Sequence, residues 1–553
     1  MGPNSRDQLR QAIDAEIESL KESFQESFRA LSQRRNALAP ISLLPAEIIE
    51  DIFLRASAKR NDSSLAWLHV AHVCRQWREI ALNQPLFWSH INFTNLSLAG
   101  VVEMLARAKN TPLHLEAEVT DIRWDDARYN ALENELQAHV SNICHLSVIG
   151  KSTKLYTSLR KLFTSPTPSL EFLSLSHLDP KVQVYLPDTL FDGITPRLSC
   201  LELQQIAISL KSPLLRGLRY LKICGLHERD RPSLAEWLDA LDKMPQLEKL
   251  VLHSTSPIGH HFGGSLPFDI DRTVTLPFLT HLDISATAMN CAIPLAHLVL
   301  PALTSLCLTA RSLSFSGADV LNLLPYLSQH AHGPQDTQPL QSVLFHSEEA
   351  CTHIIAWPRP GISLEPHHLA AAKLTARVAL SITCMTSRFW YTAIYLGVLN
   401  MAMEALPLDN LVTLTARHRA RLDKEIWLRY APRWLLLEDV RLAPRAASGF
   451  IQMLLVQDND REGPLLPSLI RLNLLDTTSS ERRTRRLCEA LKKREEQGVP
   501  LKVLDLQTCR FTTAAVQLLR GLVDDVRDPE TREEFFDDDN SEEEFEGRGE
   551  GED

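Results

Sequence analysis

The sequence carries no paired-cysteine motif, no phosphate-binding or metalloprotease signature, and no apolar run long enough to span a membrane. Its ten cysteines stand singly from Cys74 to Cys509, with no C-x-x-C and no Cys/His spacing suited to zinc. Small buried thiols in a reducing compartment are therefore expected. G-x-x-x-x-G-K-[ST], H-E-x-x-H and G-x-S-x-G are all missing, so no catalytic grouping is expected and the chain does not read as an enzyme. His260-His261, His330/His332 and His367-His368 fall in loops containing Gly or Pro, without carboxylates or thiols at ligand spacing, so neither metal nor cofactor is expected. The longest apolar run, Phe389 to Met403, is shorter than the ~20 residues of a membrane span and is abutted by Arg388, which suits a buried helix. The start, MGPNSRDQLR, has no apolar signal region, and Pro3 and Arg6 break the myristoylation pattern. An intracellular location, cytoplasmic or nuclear, follows as the expectation, and the sequons at Asn92 and Asn95 are chance matches.

The chain also lacks a basic excess. Its net charge is −11, but Asp524 to Asp553 holds sixteen acidic residues and three arginines, so this tail carries −13 and the remainder is near +2. Nothing there supplies the basic stripe that nucleic-acid binding needs. The tail, residues 524–553, is too polar to bury a core and is expected to be disordered. Phe535, Phe536 and Phe545 leave open a motif for a basic partner. With 553 residues, 44% of them hydrophobic, the chain exceeds what one core usually serves, and several structural units are expected.

Residues 1–40 read as one long helix ended by Pro40. Leu9, Ile13, Ile17, Leu20, Phe24, Phe28 and Leu31 step by 4, 4, 3, 4, 4 and 3, which keeps them on one face in an eleven-residue repeat. This stripe, within residues 8–35, either self-associates, in the manner of a coiled coil, or folds back on the segment that follows.

That segment, 41–95, reads as three short helices. Pro45 and Glu47 suit a helix start, and Ile48, Ile49, Ile52 and Phe53 form an apolar face at helical spacing. Asn61-Asp62-Ser63-Ser64 supplies a turn and an N-cap for a helix from Leu65 to about Val73. A third helix runs from about Arg75 to Leu82 and ends at Asn83. With Leu44, Trp67, Trp77, Phe87 and Trp88 added, so much apolar surface on so small a unit wants a partner. A three-helix DNA-binding unit is the structural rival, and the scarcity of Arg and Lys on its recognition helix argues against it. The order Leu44-Pro45-x-Glu47-Ile48-Ile49-x-x-Ile52-Phe53, then Val73-Cys74-x-x-Trp77, then Pro85-Leu86-Phe87-Trp88, resembles the F-box motif. The resemblance implies that Leu44, Pro45, Ile48, Ile49, Ile52 and Phe53 dock a Skp-type adaptor, with Val73, Cys74, Trp77 and Trp88 completing the contact. The alternative for Trp77 and Trp88 is the internal core of the three helices.

Residues 96–523 repeat the pattern L-x-x-L-x-L. It appears at Leu170/Leu173/Leu175, Leu198/Leu201/Leu203, Leu218/Leu221/Ile223, Leu247/Leu250/Leu252, Leu279/Leu282/Ile284 and Leu303/Leu306/Leu308, then again at Leu437/Val440/Leu442, Leu469/Leu472/Leu474 and Leu501/Leu504/Leu506. Weaker copies are Ile143/Leu146/Val148, Leu340/Val343/Phe345 and Leu411/Leu414/Ala416. This is the strand signature of leucine-rich repeats, and its uneven spacing implies a distorted arc. Between Phe345 and Leu411 the register is hardest to read, with ARVALSITC as one strand and a helix from Tyr391 to Ala405 after it. The expected fold is α+β, or an α/β solenoid: an N-terminal helix, a three-helix F-box, an irregular leucine-rich arc and the acidic tail.

Residues between the leucines point to the opposite, concave face. They include Phe172, Glu202, Gln204, Tyr220, Lys222, His253, His281 and Asp283, a mixture that suits a protein ligand better than a repeating polymer. The whole arrangement resembles an F-box family expanded in mushroom-forming fungi. That resemblance implies a non-catalytic substrate receptor, joined through its adaptor to a cullin–RING ubiquitin ligase and holding an unidentified protein substrate. An interaction scaffold that delivers nothing for degradation is the alternative. An enzyme site within the irregular region is a further one.

Overall fold

The computed structural model describes all residues except 1–2, 59–64, 95, 120–125, 152–155, 157–162, 189, 256–271, 313–317, 335–336, 348–350, 362–368, 385–390, 418–420, 457–462, 479 and 529–553. The turn expected at Asn61–Ser64 and the pairs His260-His261 and His367-His368 lie outside the described residues. The chain divides into two compact units, the first reaching Ile208 and the second beginning at Leu215, with the short segment between them shared. The division falls inside the leucine-rich run rather than after residue 95. The physical reason is local: the strand His90–Asn92 leaves the helical segment directly and pairs with Leu113–Val119, so no linker separates them.

In the first unit the N-terminal helix spans Pro3–Ala37. Every residue of its apolar stripe, from Leu9 to Leu31, is exposed, so the stripe does not fold back on the segment that follows. Helices at Ala46–Ala58 and Arg75–Asn83 flank a 3-10 helix at Leu65–His72. An α-helix was the expectation for that middle piece. It closes instead with a three-residue hydrogen bond, Val73 N to the Val70 carbonyl, as short connectors commonly do. Five strands then lie side by side in chain order, all parallel: His90–Asn92, Leu113–Val119, Ile143–Gly150, Phe172–His177 and Cys200–Gln204.

The second unit continues the same construction. Strands Tyr220–Cys224, Lys249–His253, His281–Thr287 and Ser305–Ser312 are parallel neighbours. At the far side Thr413–Arg417, Asp439–Leu442, Arg471–Leu474, Val503–Asp505 and Asp525–Arg527 do the same. The acidic tail therefore starts later than residue 524, because Asp525–Arg527 closes the sheet. All twelve leucine-rich triplets point into the interior, and every member is buried. Burying one face of each strand is what stacks successive repeats, at about 25 cal/mol for each Å² of apolar surface removed from water.

The irregular region has a specific order. Val378–Cys384 pairs beside Ser305–Ser312, Cys351–Trp357 runs antiparallel next to it, and Ser342–Ser347 follows, leading to Thr413–Arg417. Two strands are thus inserted between consecutive leucine-rich ones. The strand and helix expected at ARVALSITC and Tyr391–Ala405 are present, and Cys351–Trp357 is an added strand. Leu344, Ile355, Ala379 and Cys307 line up across neighbouring strands on the side away from the leucines. The helix Leu369–Thr375 covers them with Ala372, and Trp357 Nε1 donates to the Ala372 carbonyl at 3.3 Å.

Candidate functional site

The helical segment 41–94 separates its apolar residues into two sets. Ile49, Phe53, Phe87 and Trp88 are buried, with Phe53 edge-on to Trp77 at 5.1 Å between ring centroids and tilted on Phe87 at 6.1 Å. Trp88 Nε1 donates to the Ala81 carbonyl at 2.7 Å, and the Arg107 guanidinium lies 4.5 Å over its ring. Ile49 and Phe53 were expected at the adaptor contact, and the structure places them in the interior instead. Trp88 takes the interior place that was its alternative, and ring packing with a buried indole hydrogen bond holds the helices together. Trp77 and Cys74 are half-buried, and the Cys74 sulfur caps the third helix by accepting from Trp77 N at 3.5 Å.

The other set faces outward. Leu44, Pro45, Ile48, Ile52 and Val73 are exposed, together with Ile41, Leu43 and Leu86. Ile48 and Ile52 are four residues apart on the helix Ala46–Ala58, so they share a face and follow directly from Leu44 and Pro45. Several large aliphatic side chains left in water on one short segment mark a surface for a partner.

The positions between the leucines form rows. In the first unit His90, His114, His145 and Phe172 align across four strands and stack, with ring centroids separated by 4.2, 5.4 and 4.0 Å. Burial, then repulsion from His114, pushes the His145 pKa down to about 4. Phe172 was anticipated from the sequence, whereas the three histidines were missed. The same alternation, carried N-terminally through HIN, LHLE and CHLS, would have found them. Glu202 and Gln204 lie on the strand beside Phe172, with Ser174 opposite Glu202.

In the second unit Tyr220 aligns with Lys249 and His281, and Lys222 with Val251 and Asp283. His253 Nε2 is 3.1 Å from Asp283 Oδ1, an ion-pair contact. Interaction with Asp283, then with Cys224, raises the His253 pKa to about 10. Of the anticipated residues here, the structure joins His253 to Asp283 directly. His281 is half-buried, and burial lowers its pKa.

Within the irregular region His353 Nδ1 and Ser381 Oγ are 2.9 Å apart. Ser381 is 1% exposed, so a nucleophile there could not meet a substrate. Among the described residues no group of three His, Cys, Asp or Glu could hold a metal, and no helix is long and apolar enough to cross a membrane. His330 is buried, and His332 Nδ1 lies 2.9 Å from the Ser328 carbonyl. The helix Glu481–Glu496 turns two of its basic residues towards the protein: Lys493 Nζ donates to the Leu455 and Val456 carbonyls at 2.9 and 2.7 Å, and Arg494 is buried.

The fold is thus a mixed α/β structure of leucine-rich parallel strands behind N-terminal helices. Residues 41–94 match the family model described as F-box-like, so the chain carries an F-box-like domain there. No curated protein matches the chain. Among solved structures the complex of Rad7 and Elc1 from yeast is similar at 12% identity, covering 85% of this chain and 92% of that one, with a TM-score of 0.30, at which the likeness carries no argument.

Proposed function

We propose that this protein is the substrate-receptor subunit of an SCF-type cullin–RING ubiquitin ligase in the cell interior. The observation that carries the reading is the exposed aliphatic face of the F-box-like domain, from Leu44 through Ile48 and Ile52, with Val73 also exposed in the same domain. That face docks the Skp-type adaptor by burial of apolar surface. The positions between the leucines hold a protein substrate, and ubiquitin transfer takes place elsewhere in the assembly, so the chain itself performs no catalysis.

Affinity purification of wild type beside Leu44→Ala/Ile48→Ala/Ile52→Ala tests this. The variant is expected to lose the Skp-type adaptor and cullin while keeping its substrates. Undiminished adaptor recovery would sink the contact assignment. Adaptor recovered without cullin, and no protein that accumulates on deletion, would favour a scaffold that does not promote degradation.

A further inference from the structure

Two arginines of the second unit turn inward, and they differ in one respect. Arg494 places its Nη atoms on the carbonyls of Leu465, Leu466 and Leu469 at 3.0, 3.1 and 3.3 Å. Among the described residues Arg377 has no such acceptor. It is 6% exposed, its Nε is sealed from solvent without a partner, and neither Nη is sealed. Its backbone is pinned on both sides, Arg377 N donating to the Ala356 carbonyl at 3.0 Å and the Arg377 carbonyl accepting from Leu306 N at 2.7 Å. The side chain therefore cannot leave by moving the strand end.

The guanidinium lies beside the Gly333 turn. A Cβ at Gly333, whose φ is +68°, would stand 2.8 Å from Thr337 Oγ1 and 3.3 Å from both Cζ and Nε of Arg377, so the group packs closely against that backbone. Ser305, next to the Leu306 that bonds Arg377, also has a sealed hydroxyl without a partner. Burial lowers the Arg377 pKa, and among the described residues no acidic neighbour offsets it. An unpaired guanidinium held this way is costly, and buried charges are as a rule paired and hydrogen-bonded. A planar fork with its outer edge open is the geometry that takes an oxyanion through two parallel hydrogen bonds.

We propose that Arg377 anchors an oxyanion site beside the Gly333 turn, taking a carboxylate or phosphate group in a forked hydrogen bond. The site is independent of the adaptor contact. The group arrives either as a free ion or on a docked chain.

The test uses the full chain, with thermal unfolding in chloride, acetate, phosphate or a blocked aspartyl peptide at equal ionic strength. Relative to chloride, the wild type should gain about 1–2 °C at tenfold saturation in at least one arm. Response to the free ions assigns the group to a free ligand, and response to the peptide alone assigns it to a docked chain. Arg377→Met should unfold at a higher temperature than wild type in chloride and show no anion response. Arg377→Lys, which keeps the charge and loses the fork, should respond weakly, and equilibrium dialysis of labelled phosphate or acetate should follow the same order. The proposal is overturned if Arg377→Met responds as wild type does, if Arg377→Met is less stable in chloride, or if no anion acts on the wild type. It also fails if Asp336→Asn, which removes the acid three residues beyond Gly333, destabilises the chain while anions do nothing, since Asp336 would then be the partner.

Discussion

Arg494 shows how much a single side chain can organise. Its three carbonyl acceptors belong to the turn around Leu466, whose φ of +51° is a conformation that a branched residue rarely adopts. Burial lowers its pKa to about 10, and the carbonyl contacts keep the charged form in place. Arg494→Ala should destabilise the protein by about 2–4 kcal/mol, by stranding those carbonyls and opening a cavity. A lower urea midpoint with an unchanged slope would show it. Two histidines give opposite pH signatures. His253, raised to about 10, contributes stability that is fully present below the unfolded pKa of 6.5 and lost as pH rises through 10. His145, lowered to about 4, is half-buried and neutral, so stability falls as pH drops from 6.5 towards 4. His253→Gln should flatten the alkaline side of the urea midpoint profile and His145→Gln the acid side. A variant that flattens the wrong limb contradicts the assignment.

Among elements, the helix Pro444–Leu454 approaches the preceding segment through a glycine. A Cβ on Gly449 would run into the carbonyl oxygen of Leu422, which is backbone and cannot swing away. Gly449→Ala should therefore lower the thermal midpoint sharply, although alanine is the better helix former. A neutral or stabilising result would mean that the helix stands farther off. This contact was not legible in the sequence, because a lone glycine in a helical pattern does not announce what it touches. The leucine triplets were legible, since a period of two with a fixed lead residue identifies a buried strand face without knowledge of its neighbours. The inserted strand Cys351–Trp357 was not, because from Ile354 to Trp357 it is buried on both faces and shows no alternation. In the F-box-like segment the motif identified the apolar residues as a group. It could not divide Ile48 and Ile52, which face solvent, from Ile49 and Phe53, which face inward, because both pairs have helical spacing.

For the whole molecule, that division carries the functional argument. A partner surface must be apolar and also not needed to hold the domain together. Substituting Phe53 or Trp88 would confound folding with binding, while Ile48 and Ile52 can be changed at little expense to the core. The most direct measurement is a calorimetric titration of the purified chain with a purified Skp-type adaptor, comparing wild type with Ile48→Ala/Ile52→Ala. A wild-type complex is expected, and a variant at least about tenfold weaker, each tenfold being about 1.4 kcal/mol, with unfolding unchanged. Equal affinity in the two proteins, or no binding by a folded wild type, would contradict it.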